Sequence, residues 1–225
     1  MNIGFYGHSS SVRDVDNNIN VYIDKIVEHY NGVLVHEGVP QGSEERILFD
    51  LKKTKKLDLA IIVHSLHRYL FLPGCKRDID IKHLSEKRFQ YVWNKSMDNF
   101  DVLSAVGTEY FNYGGIDKVF GNEETFITTL LSYKQYLHHP DLMMNRYLGA
   151  VHQIDQYLYT KQIPCVHIHG STQFPSWVKF QSGISLPSVA NMFNLPKEDV
   201  QTEKMQHRIY EALVRGIDKI LVDSD

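Results

Sequence analysis

Residues 58–63 read DLAIIV, and this stretch decides the expected fold of the 225-residue chain. Its five apolar residues are bounded by Asp58 and His64. A continuous apolar run of this length is typical of a strand that is buried on both faces of a parallel sheet. The stretch therefore predicts a central parallel strand with helices on both faces of its sheet.

Upstream of this strand, the sequence alternates between strand and helix patterns. The apolar runs at 2–6 and 33–36 predict two more strands, the first of which ends at Gly7. Between them, from 19 to 30, apolar residues recur at intervals of three and four, which is the period of an amphipathic helix. Ser43 predicts the N-cap of a second helix. The first 65 residues therefore predict the order β-α-β-α-β.

Downstream, helix patterns outnumber strand patterns. The predicted elements are a helix over 86–97, irregular chain over 98–122, a helix over 123–137, a helix from Pro140, a strand over 164–169, a loop over 170–183 and a last helix over 202–220. The predicted fold class is α/β: a three-layer α/β/α sandwich with a mostly parallel sheet and a helical insertion at about 85–160. Because no repeat or linker interrupts the chain, a single domain over 1–225 is expected.

Composition narrows the class of protein. The formal net charge is −3 with both signs interspersed, so the basic face of a nucleic-acid-binding protein is not expected. The apolar runs are far shorter than the ~20 residues of a membrane span, and residues 1–6 lack the pattern of a signal peptide. Cys75 and Cys165 are too few for a disulfide framework. We expect a cytoplasmic protein that acts on a small molecule, alone or as an oligomer.

The predicted strand ends indicate where a functional site would lie. In open parallel sheets, ligands bind beyond the carboxyl ends of the strands. Those ends lead here into Gly7-His8-Ser9, Gly38 and His64-Ser65. A serine after a glycine turn, near the N-terminus of a helix, suits a nucleophile whose attack creates an oxyanion. Small polar residues are also what ordinary turns contain.

Several short motifs resemble the sequence blocks of the SGNH/GDSL hydrolases, in the same order along the chain. Residues 3–9 (IGFYGHS) are similar to the first block of that family, especially to a phage-encoded group. Residues 35–39 (VHEGV) resemble the second block and 58–65 the third. The strand 166–169 and the later Asp199 resemble the last blocks. The resemblance implies an SGNH or flavodoxin-like sheet and, for the phage group, a site of action in the infected bacterial cell.

The resemblance also implies roles for individual residues in a serine esterase or acyl hydrolase that acts on a small ester or an acylated sugar. Ser9 would be the nucleophile, and Asp199 would orient the histidine that takes its proton. The Gly38 N–H, the Ser9 N–H and the Ser65 hydroxyl would hold the oxyanion. The remaining substrate-binding candidates are His8, His64 and Arg68.

Three positions differ from the family pattern. The third-block asparagine is not visible, and Ser65 is the nearest hydroxyl or amide. His8 replaces the aspartate of the Gly-Asp-Ser block, and no histidine follows Asp199, where Val200 and Thr202 stand. A serine hydroxyl is a poor nucleophile without an adjacent base. His207, in the last predicted helix, is one candidate for that base. The other candidates are the histidines at strand ends: His8, His64, His67, His167 and His169.

Two alternatives to a cofactor-free esterase stay open. Histidine is a common ligand of zinc, which takes three or four ligands in tetrahedral arrangement. His8, His64, His167 and His169 could hold a divalent metal such as zinc, with His67, Asp14 or Asp16 completing the shell, in a metal-dependent hydrolase. The other alternative is a relative without catalytic activity that binds a ligand or serves in virion assembly.

Overall fold

The computed structural model describes the backbone in two compact units, 1–66 with 147–225 and 67–146. The described residues are 1–7, 11–12, 21–38, 42–65, 69–70, 79–80, 125, 128–129, 132, 136, 139–169, 174, 178–188 and 203–222. The first unit contains a five-stranded sheet. Its strands are β1 (Asn2–Gly7), β2 (Val33–His36), β3 (Leu59–Val63), β6 (Cys165–Ile168) and β7 (Gly183–Leu186).

All five strands run parallel, in the order β2-β1-β3-β6-β7. The chain therefore moves outward from β1 to β2 and then returns past β1 to β3. Such a reversal of direction leaves a crevice outside the carboxyl ends of the two strands where it occurs. In this sheet those ends are Gly7 and Val63, which pair in register.

Helices cover both faces of the sheet. The described helices are α1 (Tyr22–His29), α2 (Glu44–Lys53), α3 (Pro140–Thr160) and α4 (Glu203–Val222). Helices α1 and α4 share one buried cluster with Leu59, Ile61 and Val63 of β3. Helix α2 and the later part of α3 share another with Ala60 and Ile62. Alternate residues of a strand face opposite sides, so this division confirms a three-layer α/β/α sandwich.

Two glycines mark places where backbone approaches backbone. Gly7 has φ +137°, and a Cβ there would lie 2.1 Å from the Val63 carbonyl oxygen. At Gly183, a Cβ would lie 1.8 Å from the Cys165 carbonyl oxygen. Glycine avoids both collisions and, at Gly7, the cost of a positive φ. At the end of β1 the chain can therefore turn out of the sheet while its backbone stays in close contact with Val63 of β3.

The predicted elements of the first unit agree with the structure to within a few residues at each end. The N-cap is confirmed at Ser43, whose Oγ accepts the Arg46 N–H at 3.2 Å. Strand β7 was not expected, because GISL is short and its glycine and serine weaken the strand pattern. The predicted helix over 86–97 and irregular chain over 98–122 lie outside the described residues.

The second unit is described mainly by a two-stranded antiparallel ribbon of β4 (Tyr69–Leu70) and β5 (Ile79–Asp80). Within the predicted helix over 123–137, the described residues are helical. Helix α3 begins in this unit and continues into the first. Across the described residues of both units, no helix has the length and apolar character required to cross a membrane.

Candidate functional site

Two histidines lie buried where the central strands β3 and β6 end. His64 directly follows β3, and His167 is the third residue of β6, paired in register with Ile62. Neither side chain is accessible to solvent. The two rings are nearly parallel, 9° apart, with centroids separated by 5.2 Å. Because neighbouring strands bring them together, two residues 103 positions apart in sequence share one site.

Helix α2 supplies a carboxylate to this pair. Glu44, in the first turn of α2, is 1 % exposed. Its Oε2 lies 2.9 Å from His64 Nδ1, and its Oε1 accepts the Ser65 N–H at 2.6 Å. The opposite ring nitrogen, His64 Nε2, lies 3.0 Å from His167 Nδ1. The first three members of a buried hydrogen-bonded chain are therefore Glu44, His64 and His167.

Helix α3 supplies a second carboxylate at the other end. His167 Nε2 lies 2.9 Å from Ser182 Oγ, which in turn donates to Asp155 Oδ1 at 2.7 Å. Asp155 also accepts the backbone N–H groups of Gln181 and Ser182, at 3.0 and 2.9 Å. We call the five side chains Glu44, His64, His167, Ser182 and Asp155 the buried relay. It joins both central strands to α2, to α3 and to the segment before β7.

Two phenylalanines enclose the imidazoles. The Phe180 ring stacks on His167 with centroids 3.8 Å apart and planes 15° apart. The Phe174 ring meets His64 edge-on at 4.8 Å and His169 at 4.6 Å. This apolar cover excludes water, and burial in such surroundings disfavours charge. Burial, with the neighbouring His64 and His169, accordingly holds the pKa of His167 well below the usual histidine value.

His169 differs from the other two histidines because part of it reaches solvent. It is the first residue after β6, and it is half-buried. Its Nδ1 accepts the Phe174 N–H at 3.3 Å, so the ring proton is on Nε2, which donates to Ser185 Oγ at 2.7 Å. Burial and the neighbouring His64 lower the pKa of His169. At neutral pH this ring is therefore uncharged, with its lone pair on Nδ1.

The structure places the other described candidates as follows. The Gly38 N–H donates to the Ser11 carbonyl oxygen at 2.9 Å, so its use in an oxyanion hole requires that this bond be released. Ser65 is fully buried, and within the described part of the chain its hydroxyl has no hydrogen-bond partner. His207 is 59 % exposed on α4 and pairs with Glu211 at 3.3 Å.

Other candidates lie outside the described residues: Ser9, His8, Arg68, Asp199, His67, Asp14 and Asp16. Of the four proposed metal ligands, the structure brings together His64, His167 and His169. All six of their ring nitrogens have protein partners. Within the described ranges, no three His, Cys, Asp or Glu residues form a group suited to a metal ion.

Sequence reasoning missed the acidic ends of the buried relay. Acids are common in the first turn of a helix, so the position of Glu44 gives no local sign of a site, and Asp155 is not among the candidates above. A signal for Asp155 was present, since it follows Tyr147 and Val151 at intervals of four and therefore lies on the buried face of α3. An acid at such a position needs buried partners. Nothing local, however, indicates that Ser182 is one of them.

A cleft lies next to the Asp155 end of the relay. Its volume is about 160 Å³, and α3 and the segment 178–180 form its walls. Asp155 and Phe180 line it together with His152 and Lys179. The relay thus approaches solvent at this end, whereas its Glu44 end is enclosed.

Comparison with models of protein families, with curated proteins and with solved structures finds no match to this chain.

Proposed function

We propose that this protein is an SGNH-like serine esterase or acyl hydrolase for a small ester or an acylated sugar, with Ser9 as nucleophile. The parallel sheet with its reversal between β1 and β3 supports this proposal, because β1 ends at Gly7 beside that crevice and Ser9 comes two residues later in the sequence. The observation that carries it is His169, an uncharged histidine with a defined tautomer and partial access to solvent at the same edge of the sheet.

We assign the role of general base to His169. Strands β1 and β6 are separated by β3 alone, which corresponds to about 10 Å. Ser9 comes two residues after Gly7 in the sequence, and two residues of chain reach at most about 7 Å. The side chains of Ser9 and His169 would cover the remainder. His64, by contrast, is fully enclosed and has both ring nitrogens engaged.

The proposed chemistry follows from the tautomer of His169. Its Nδ1 would exchange the 3.3 Å bond from the Phe174 N–H for the Ser9 hydroxyl proton. The serine oxygen would then bond to the acyl carbon, and the carbonyl π electrons would move to oxygen. Collapse of this intermediate would expel the alcohol with the proton from His169, and water would hydrolyse the acyl-enzyme. The Ser65 hydroxyl, unpartnered among the described residues, is the proposed donor to the oxyanion.

The test is hydrolysis of short-chain acyl esters by wild type, Ser9→Ala and His169→Gln, each with and without a chelator. His207→Gln is the matched control, because His207 is an exposed histidine on α4. We expect Ser9→Ala to lose at least about a thousandfold in kcat/KM and His169→Gln about a hundredfold or more. His207→Gln should match wild type.

The other outcomes separate the alternatives. Wild-type activity in Ser9→Ala would exclude serine chemistry, and abolition by the chelator would favour a metal-dependent hydrolase. Loss in His207→Gln but not in His169→Gln would move the base to the last helix. If no variant hydrolyses any ester, a binding or assembly role replaces the proposal.

A further inference from the structure

We propose that the buried relay holds one proton more than its neutral groups supply, and that this proton makes His64 an imidazolium at neutral pH. The inference concerns the protein's own charge and does not depend on the proposed esterase activity. It follows from counting protons against hydrogen-bond contacts. Each hydrogen bond needs one proton between its two heavy atoms.

Four contacts join the five side chains of the relay, at 2.9, 3.0, 2.9 and 2.7 Å. Each of these distances is that of a hydrogen bond. Two neutral histidines bring one proton each, the Ser182 hydroxyl brings one, and two carboxylates bring none. Three protons therefore face four contacts, and one contact would lack a proton.

No arrangement of three protons avoids a penalty. If Ser182 turned its proton to His167, its Oγ would face Asp155 Oδ1 at 2.7 Å with only lone pairs between them. If the contact without a proton is one of the other three in the relay, two lone pairs face each other there at 2.9–3.0 Å. A buried acceptor without a donor costs about 1–3 kcal/mol. A fourth proton removes the gap.

The surroundings of the two carboxylates favour the ionised form of both. Asp155 Oδ1 already accepts N–H groups from Gln181 and Ser182 besides the Ser182 hydroxyl. Protonation at Oδ1 would leave too few lone pairs for these donors. Glu44 accepts the Ser65 N–H and sits in the first turn of α2, where the helix dipole favours a negative charge.

Between the two histidines, the order of donors selects His64. Ser182 donates to Asp155, so His167 Nε2 must donate to Ser182 Oγ. His167 is the neutral ring, in agreement with its lowered pKa, and its Nδ1 accepts from His64 Nε2. His64 Nδ1 then donates to the Glu44 carboxylate. His64 is thus protonated on both nitrogens.

The groups around His64 are compatible with this charge. Glu44 faces it from α2, while His167 in β6 and His169 directly after β6 carry no charge. Asp155, on α3, is connected to His64 by the hydrogen bonds of Ser182 and His167. Tyr147 of α3 lies near Glu44, and its pKa is raised by burial and by that carboxylate, so it stays neutral. The relay as a whole then has two negative charges and one positive charge.

The experiment observes the ring nitrogens of His64 directly. The intact ¹⁵N-labelled protein is studied at pH 7 by long-range ¹H–¹⁵N correlation, with the His64 ring assigned through bonds from its backbone. We expect two protonated nitrogens on His64 and one, Nε2, on His167. An unprotonated nitrogen on His64 in the wild-type protein would overturn the proposal, whether the missing proton is on Glu44 or on Asp155.

Glu44→Gln sharpens the test because the amide supplies the fourth proton itself. Its oxygen can accept the Ser65 N–H while its NH₂ donates to His64 Nδ1, so all four contacts are satisfied with a neutral His64. We expect His64 to lose its Nδ1 proton in this variant and to keep it in the control Glu45→Gln. A doubly protonated His64 in Glu44→Gln would refute the proton count. If Glu44→Gln does not fold, the wild-type spectrum decides alone.

Discussion

Replacing Asp155 by alanine removes the acceptor that ties the segment before β7 to helix α3. The carboxylate is 3 % exposed and accepts three donors, the backbone N–H groups of Gln181 and Ser182 and the Ser182 hydroxyl. Each hydrogen bond to a charged group contributes about 1.5–3 kcal/mol to stability. Because Gln181 is exposed, its N–H regains a bond to water, which reduces the total. The two Ser182 donors, by contrast, would be left buried without an acceptor, at a cost of about 1–3 kcal/mol each.

We therefore expect Asp155→Ala to lower the free energy of unfolding by about 2–6 kcal/mol and the melting temperature by roughly 10 °C. Asp155→Asn keeps one acceptor oxygen and should lose less. The assay is urea unfolding followed by far-UV circular dichroism, together with hydrogen exchange of the Gln181 and Ser182 amides, which should lose protection first.

The matched control is Asp141→Ala. Asp141 is in the first turn of the same helix, but its side chain is 88 % exposed. Its loss should cost no more than the 0.3–1 kcal/mol of an acid at a helix N-terminus. If Asp155→Ala lies within 1 kcal/mol of this control, or if its Gln181 and Ser182 amides keep wild-type protection, the energetic role of the relay is refuted.

Three further predictions concern stability. His36 is half-buried against Tyr6, and this burial lowers its pKa to about 4. The unfolded chain therefore binds more protons between pH 6.5 and 4, and stability should fall by up to about 3 kcal/mol as pH falls through that range. Unfolding at several pH values should show this slope reduced in His36→Gln, and an unchanged slope would contradict it. Gly7→Ala should lower the free energy of unfolding by at least about 1–3 kcal/mol through the positive φ alone, measured by urea unfolding. No loss of stability would show that the chain after β1 can follow a path without the positive φ. Ile61→Ala, in the central strand, should lower the free energy of unfolding by about 2–5 kcal/mol in the same assay. Val33 is 60 % exposed, so Val33→Ala should change it by no more than about 0.5 kcal/mol. Similar losses in both variants would place Ile61 outside the core.

The sheet was largely predictable because its central strands are buried on both faces. The run at 59–63 has no polar residue, and the structure buries alternate members of it in two clusters. The pattern at 19–30 and the N-cap Ser43 likewise depend on neighbours within one or two turns. Strand β7 was not predicted because Gly183 weakens its local strand pattern. The close contact with the Cys165 backbone requires a glycine at this position.

The sequence predicted where the candidate site lies but not which residues hydrogen-bond to its histidines. The carboxyl ends of the strands indicated His64, His167 and His169, and the structure brings them together. Their partners are different from those expected. Each histidine hydrogen-bonds to protein groups, and the two carboxylates of the relay come from α2 and α3.

By itself, the sequence determined helices α1–α4, strands β1, β2, β3 and β6 of the parallel sheet and the edge at which histidines gather, because each of these depends on the pattern of a few neighbouring residues. Only the tertiary structure decided that Glu44 and Asp155 enclose the histidine pair, and that His64 and His167, 103 positions apart, share a hydrogen bond. The reason is physical. Strand register and helix packing are set by how whole faces fit together, and a buried hydrogen bond exists only where that fit brings donor and acceptor within about 3 Å.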